Sequence, residues 1–487
     1  MGYLVLPITV GLLLFRPVLL LPWGTALCVF HAAAVINVTV GESGFGLQPG
    51  YLGALAICVS APFSGIADFR RHLRPVMRFL APVYLLAGYA AVSGLVLPHV
   101  FADKLMIFPP REGIDILSMA PLGFSQSNVT QIAYICFLAV FATVLGVATR
   151  THPDWGVRCV KVFFAVGAGV MALAFYQIAA QQLGLPYPFD FFNSNVSVAH
   201  DISAFMIFGD TGRRASGSFA EPSVLACYAT GLLLATTFAV TGGRPSPRLS
   251  LLAGVVLLSF FLILSTTGFV SLAVALIVLG RRVIHSPRAR RWALVALVAT
   301  ILATATIVVV LALQGGGISE FLATRLEEHV LAKGTSDSVV SRWASDVNSL
   351  VCLVTTAGLG VGWGSTRSSS FVTNLLANGG AVGGIAVLWL ALRVSRLLVA
   401  ARQATSDGEV LAALEGTKGC LIGMLIAATV GVPDATNIIL WYTLAIMVGL
   451  AQATASPAGA TAAPAPDGAF RSLPPPAAHT AGVVSGS

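Results

Sequence analysis

The sequence predicts an all-α, polytopic integral membrane protein, and three observations carry that prediction. Of its 487 residues, 56% are hydrophobic and only 10% charged, with a mean hydropathy of +0.86. A soluble domain carries roughly 25% charged residues. Apolar runs approaching the ~20 residues that a spanning helix needs recur along most of the chain. Lysines and arginines gather in the connections between those runs. Backbone in lipid must satisfy its own hydrogen bonds, and a helix does so within one segment.

In chain order, spans are expected near 3–22, 24–41, 50–67, 76–99, 128–149, 158–183, 222–241, 247–264, 267–284, 291–313, 375–399, 415–432 and 436–453, about 12–13 helices. The N-terminal run "MGYLVLPITVGLLLFRPVLLLPWG" has no basic leader and reads as a retained first helix. Five segments, 70–78, 150–161, 244–248, 281–291 and 393–418, hold 18 of the 28 basic residues and fall on alternate connections. The positive-inside tendency places all five in the cytoplasm. Three long connections then face outward, about 100–127, 185–221 and 314–374. The chain thus divides into a transmembrane domain, 1–453, and a Pro/Ala-rich tail, 454–487, expected to be disordered and cytoplasmic.

Other classes find little support. The net charge of +8 is spread over many short loops, which argues against nucleic acid as a partner. Seven cysteines lie far apart without a Cys-x-x-Cys pair, mostly in apolar runs, so neither a metal site nor a disulfide framework is expected. Sequons occur at Asn37, Asn128 and Asn195. No fixed-period repeat points to a transporter. A transporter or flippase also predicts ionisable residues within spans, and Arg16, His31 and Glu415 are the few candidates, near expected helix ends or in doubtful spans.

The outward segments carry eight basic residues: Lys104, Arg111, Arg213, Arg214, Arg325, Lys333, Arg342 and Arg367. Their simplest role is a solvated surface or a pair with a nearby acid such as Asp210 or Glu328. Arg213, Arg214 and Arg342 ask for more. In "TGRRASGSFAEPSVLA", Pro222 suits the first turn of a helix, and Glu221 then sits at its N-terminus, where negative charge is favoured. Ser218 or Ser223 is a further cap. Capping leaves Gly217, Phe219 and the arginines unexplained. Guanidinium groups match phosphate oxygens, and two beside a helix start form a phosphate site. Glu221 is alternatively a proton acceptor near the membrane face. Farther on, 318–333 has the spacing of an amphipathic surface helix bearing His329. Arg342 and Trp343 open another helix, and the glycine-rich "LVCLVTTAGLGVGWG" reads as a re-entrant segment.

These stretches resemble the O-antigen polymerase and ligase superfamily, most closely its exopolysaccharide polymerase branch. Arg214 to Ala226, "RASGSFAEPSVLA", is similar to its Arg-x-x-Gly-x-Phe-x-Glu-Pro-Ser pattern. Ser341 to Gly364 resembles a second signature, an arginine opening a helix and then a Gly-x-Gly-x-Gly turn, here Gly358, Gly360 and Gly362. Phe371 to Leu390 is similar to the asparagine-bearing entry into the next helix, with Asn374 and Asn378. The resemblance covers roughly 160–450. Two positions depart from it: Thr373 stands where ligases typically carry a histidine, and Thr267 where an arginine often follows a serine.

The resemblance implies glycan transfer at the outer face of a bacterial cytoplasmic membrane. The donor would be an oligosaccharide on a polyprenyl pyrophosphate lipid, with lipid pyrophosphate leaving and no metal or other cofactor required. Flippase and chain-length regulator proteins are the implied protein partners. It assigns catalysis to Glu221, Arg214 and Arg342, with Glu221 the base and the arginines facing the leaving group. Arg213, Gly217, Arg367 and Asn374 are the implied substrate contacts.

Overall fold

The computed structural model describes residues 1–40, 43–61, 66–110, 118–197, 206–207, 212–243, 246–284, 290 and 337–455. The expected span at 291–313, the amphipathic segment at 318–333 and Arg111, Arg325 and Lys333 lie outside them, as does the tail after 455. The described chain is helical apart from three two-stranded antiparallel hairpins. Among the described residues, seven helices are long and apolar enough to cross a membrane. They are α5 (Ala81–Val100), α6 (Gln126–Thr151), α7 (Pro153–Leu183), α9 (Pro222–Gly242), α13 (Phe371–Ala404), α14 (Gly408–Gly431) and α15 (Ile438–Ala455). The protein is a multi-pass, all-α membrane protein.

The N-terminal expectation needs correction. The first apolar run is broken at Arg16, where the chain leaves helical geometry, into α1 (Gly2–Phe15), a 3-10 turn (Pro17–Leu19) and α2 (Leu20–Leu27). No span occupies 24–41. α2 ends at Leu27, and Ile36–Val40 forms β1, paired with β2 (Ser43–Leu47). "INVTV" is rich in β-branched residues, whose stiff side chains favour a pleated strand. The run near 50–67 yields only the 12-residue α3 (Pro49–Ser60). The basic segment at 70–78 belongs to the amphipathic α4 (Ile66–Phe79), which precedes α5. The outer segments add β3 (Met106–Ile107) with β4 (Ala120–Pro121), the short α8 (Phe189–Phe192), and β5 (Met206–Ile207) with β6 (Gly212–Arg213).

The sequon asparagines are structural. Asn128 and Asn195 are fully buried. Asn128 closes a capping box with Ser125 at the start of α6, and its amide donates to the Trp363 carbonyl at 2.9 Å. Asn195 donates to the Gly46 carbonyl at 3.1 Å, and Asn37 to that of Ser194 at 2.7 Å.

α9 is the centre of the bundle, buried along almost its whole length. α10 (Pro247–Ile263) and α11 (Thr266–Ile284) pack beside it, and α14 lies against it most extensively. Gly419 and Gly423, four residues apart on α14, make that approach possible. A Cβ at Gly423 would strike the Thr230 carbonyl, and one at Gly419 the Leu234 carbonyl, both backbone atoms of α9. In lipid such close packing takes over from the hydrophobic effect as the force joining helices. One end of this pair is braced by charge. Buried Glu415 of α14 lies 2.7 Å from Arg282 of α11 and 3.9 Å from Arg402 of α13, and Arg282 also donates to Thr241 of α9 at 2.7 Å. Gly423→Ala should lower the stability of the purified protein by about 1–3 kcal/mol, the usual cost of overpacking. Thermal unfolding in detergent checks this, with Gly169→Ala, whose Cβ would meet nothing within 4 Å, as the control.

Candidate functional site

The other end of α9 gathers the charges. Arg214 precedes a buried loop, Ala215–Ala220, that leads into Glu221, the N-cap residue of α9. Gln177, buried in α7, holds this loop: its side-chain oxygen accepts from the Ser216 N–H at 3.0 Å and the Gly217 N–H at 2.8 Å. Gly217 has a φ of +58°, in the left-handed region that glycine enters without steric cost. Its carbonyl accepts from the Tyr187 hydroxyl at 3.0 Å. Both backbone groups of Gly217 therefore serve the turn. Ser218 donates to the Val29 carbonyl at 2.7 Å, fixing the loop to the N-terminal region.

Ser223 does not cap α9. Its hydroxyl donates to the Glu221 carboxylate at 2.7 Å, which orients the acid. Arg342 arrives from α12 (Asp337–Thr355), which is not among the seven spans. Its guanidinium donates to the Thr267 hydroxyl at 3.2 Å, in the first turn of α11. It also lies against Gly431, the last residue of α14, where a Cβ would come within 2.8 Å of its Nη1. Thr267, the position where the resemblance leads one to expect an arginine, thus receives one from another helix. The three groups sense one another: burial pushes the Arg214 guanidinium below its ordinary range, Glu221 opposes that, and the positive charge of Arg342 adds to it. The arrangement offers two cations and one carboxylate at one end of the bundle. Of Arg213 the structure describes the backbone, in β6 opposite Met206.

Asp346, one turn beyond Arg342 on α12, went unnoticed in the sequence. Its carboxylate accepts from the backbone N–H of Ser369 at 3.0 Å and of Ser370 at 3.1 Å. It accepts as well from the hydroxyls of Ser369 at 2.6 Å, Thr373 at 2.8 Å and Ser368. Burial alone would raise this carboxyl, but hydrogen bonds from Ser368, Ser369, Thr373 and Ser370 together hold it below the ordinary carboxylate range. Ser369 also donates to the Arg342 carbonyl at 3.4 Å. Asp346 thereby clamps the segment 368–373 to the helix that carries Arg342. Thr373, at the expected histidine position, spends its hydroxyl on this clamp.

The clamped segment forms one wall of a polar cavity of about 230 Å³, lined by Arg367, Asn374, Asn378, Gln131, Trp363 and Asp434 among others. Arg367 and Asn374 therefore line one cavity. Asn378 is a strut: its oxygen accepts from Ser365 and Thr366, and its amide donates to Thr366 and Asn374. Asn374 donates to the Pro433 carbonyl at 3.0 Å, which leaves one amide hydrogen for a ligand. The glycine-rich stretch packs between this cavity and α5 and α6. It is irregular backbone buried in protein, and it contains a fourth left-handed glycine, Gly364. Among the described residues no group of three His, Cys, Asp or Glu side chains is placed to hold a metal ion.

Asp346→Ala should leave buried donors unpaired and cost about 1–3 kcal/mol. The pH sign follows from the lowered carboxyl. Its contribution is complete above the ordinary carboxylate value of about 3.9 and is lost as pH falls through the lower folded value. Thermal unfolding of wild type and Asp346→Asn between acid and neutral pH should therefore differ at neutral pH and converge in acid. Compared with known proteins, the chain matches no family model and no curated protein.

Proposed function

We propose that the protein is a membrane glycosyltransferase that joins polyprenyl-pyrophosphate-linked oligosaccharide repeat units into a surface or secreted polysaccharide. It would act at the outer face of a bacterial cytoplasmic membrane. The observation that carries this reading is the meeting of Arg214 and Glu221, from the loop that opens α9, with Arg342, from a distant helix, at one end of the bundle. That end lies opposite the arginine-bearing end marked by Arg282 and Arg402, as outer-face chemistry requires.

The chemistry follows from the groups. The acceptor hydroxyl oxygen attacks the anomeric carbon of the donor sugar. The bond from that carbon to the pyrophosphate oxygen breaks, and its electron pair leaves with the lipid pyrophosphate. Arg214 and Arg342 meet the charge that develops there. Glu221 takes the proton of the acceptor hydroxyl. Each guanidinium feels the other's charge, and a pyrophosphate beside them would be drawn to both. The ligase alternative has less behind it, because Thr373 stands at the histidine position and is tied to Asp346. A transporter would use a buried membrane acid as a relay, whereas Glu415 is held by Arg282 and Arg402.

In a strain lacking the protein, the surface glycan should stop at a single repeat unit, and wild type should restore the polymer. At matched protein levels, Arg214→Ala and Arg342→Ala should each lower polymer formation about 10²–10³-fold, as loss of a preorganised charge does. Glu221→Gln should lower it about 10²–10⁴-fold. Gly431→Val, which crowds the Arg342 guanidinium, should act in the same direction. Glycan ladders on gels read the outcome. Normal ladders in all of the variants would sink the site, and full-length polymer retained on its lipid would indicate a ligase.

A further inference from the structure

A reaction that joins two lipid-linked saccharides needs two lipid seats, and the proposed function assigns Arg214 and Arg342 to the donor's. The second is legible in two cavities that meet. The polar cavity holding Arg367, Asn374 and Asp434 shares Leu375 and Ala435 with an apolar groove of about 410 Å³. The groove runs between α5, α13, α14 and α15, from Phe371 to Arg402 and Lys418. The stretch from Ala381 to Arg402 alone rises about 31 Å at ~1.5 Å per residue, which matches a hydrocarbon core of about 30 Å. A polar chamber continuous with a membrane-deep apolar groove fits an amphiphile with a compact polar head and a long chain.

The chemistry of the chamber narrows the head group. A lining carboxylate, Asp434, beside side-chain amides and Trp363 suits hydroxyl groups, which both donate and accept. It disfavours a bare polyanion. Arg367 supplies a lining cation for a phosphate joined to those hydroxyls. The chamber also adjoins the transfer site. Ser368 lines it and bonds to Asp346, and Ser369 of the same clamp reaches the Arg342 carbonyl. We infer that the chamber and groove seat the acceptor, its saccharide in the chamber and its polyprenyl chain in the groove, beside the segment that Asp346 ties to the Arg342 helix. This inference rests on the proposed function, because that reaction is what calls for a second lipid.

The test uses the full-length protein in nanodiscs and a diazirine-tagged polyprenyl diphosphate carrying one N-acetylglucosamine, with crosslinks mapped by peptide mass spectrometry. Labels are expected on the groove-lining faces of α13 and α15, competed by unlabelled polyprenyl diphosphate saccharide and not by phosphatidylglycerol. Leu390→Trp and Leu444→Trp, which fill the groove from two helices, should each cut that labelling about tenfold, equivalent to ~1.4 kcal/mol of binding. Labelling near Arg214 should persist in both variants and shows that they are folded. Equal competition by phosphatidylglycerol would make the groove an ordinary lipid contact and overturn the inference, as would an unlabelled groove. The two readings fail separately. Polymer that depends on Arg214 and Arg342 alongside an unlabelled groove removes the acceptor seat alone. A specifically labelled groove alongside full polymer in Arg214→Ala and Arg342→Ala removes the proposed transfer site instead.

Discussion

The close approach of α9 and α14 is the constraint on which the rest depends. Gly419 and Gly423 let the two backbones meet where any side chain would collide with a carbonyl. Between helices in lipid there is little hydrophobic force to substitute for that contact. Fixing α9 fixes its N-cap, Glu221. Fixing α14 fixes its last residue, Gly431, against which Arg342 rests. One packing contact deep in the bundle therefore sets both sides of the charged site. The ionic brace of Glu415 with Arg282 and Arg402 holds the same helices at the end away from Glu221, so the pair is held both within the bundle and at that end.

Around that frame, the polar groups do two kinds of work. Gln177 and Asp346 are anchors: each gathers backbone N–H groups of a loop that would otherwise have no regular structure to satisfy it. Arg214, Arg342 and Glu221 are the groups those anchors position. Burying one arginine near another is unfavourable, and Glu221 offsets only part of that.

What was legible in the sequence follows the strength of the local constraint. Long apolar helices were legible because lipid leaves backbone no alternative, and the predicted bounds of α5, α6, α7 and α9 fall within a few residues of the observed ones, the largest gap being at the start of α5 and α7. The run at 24–41 misled because hydropathy alone ignores the β-branched alternation of Ile36–Val40. Arg214, Glu221 and Arg342 stood out because the positive-inside tendency disfavours arginine in outer segments and because they flank helix starts. Gln177 and Asp346 could not stand out in the same way. Gln177 is one amide near the end of an apolar helix, and its partners lie 39 and 40 residues away. Asp346 is spaced from Arg342 as an intrahelical pair would be, yet its partners are the serines 22 to 24 residues on. The run Ser368, Ser369, Ser370 was the signal, since three consecutive small donors ask for an acceptor.

The clamp also bears on which acid takes the proton in the proposed reaction. Thr373 occupies the place of a histidine base, and Asp346 is the carboxylate nearest to it in the structure's hydrogen bonding. Proximity alone would make Asp346 a replacement base, but its five donors hold it below the ordinary carboxylate range. A carboxylate already saturated with donors is a weak proton acceptor, because protonation would break the bonds that stabilise its charge. Glu221 has a different setting: Ser223 orients one of its oxygens, and Arg214 lies within electrostatic reach. The division of labour between the two acids is thus set by their neighbours. Asp346 fixes the segment that walls the polar cavity, and Glu221, at the mouth of α9, is the acid to which the proposed reaction gives the proton.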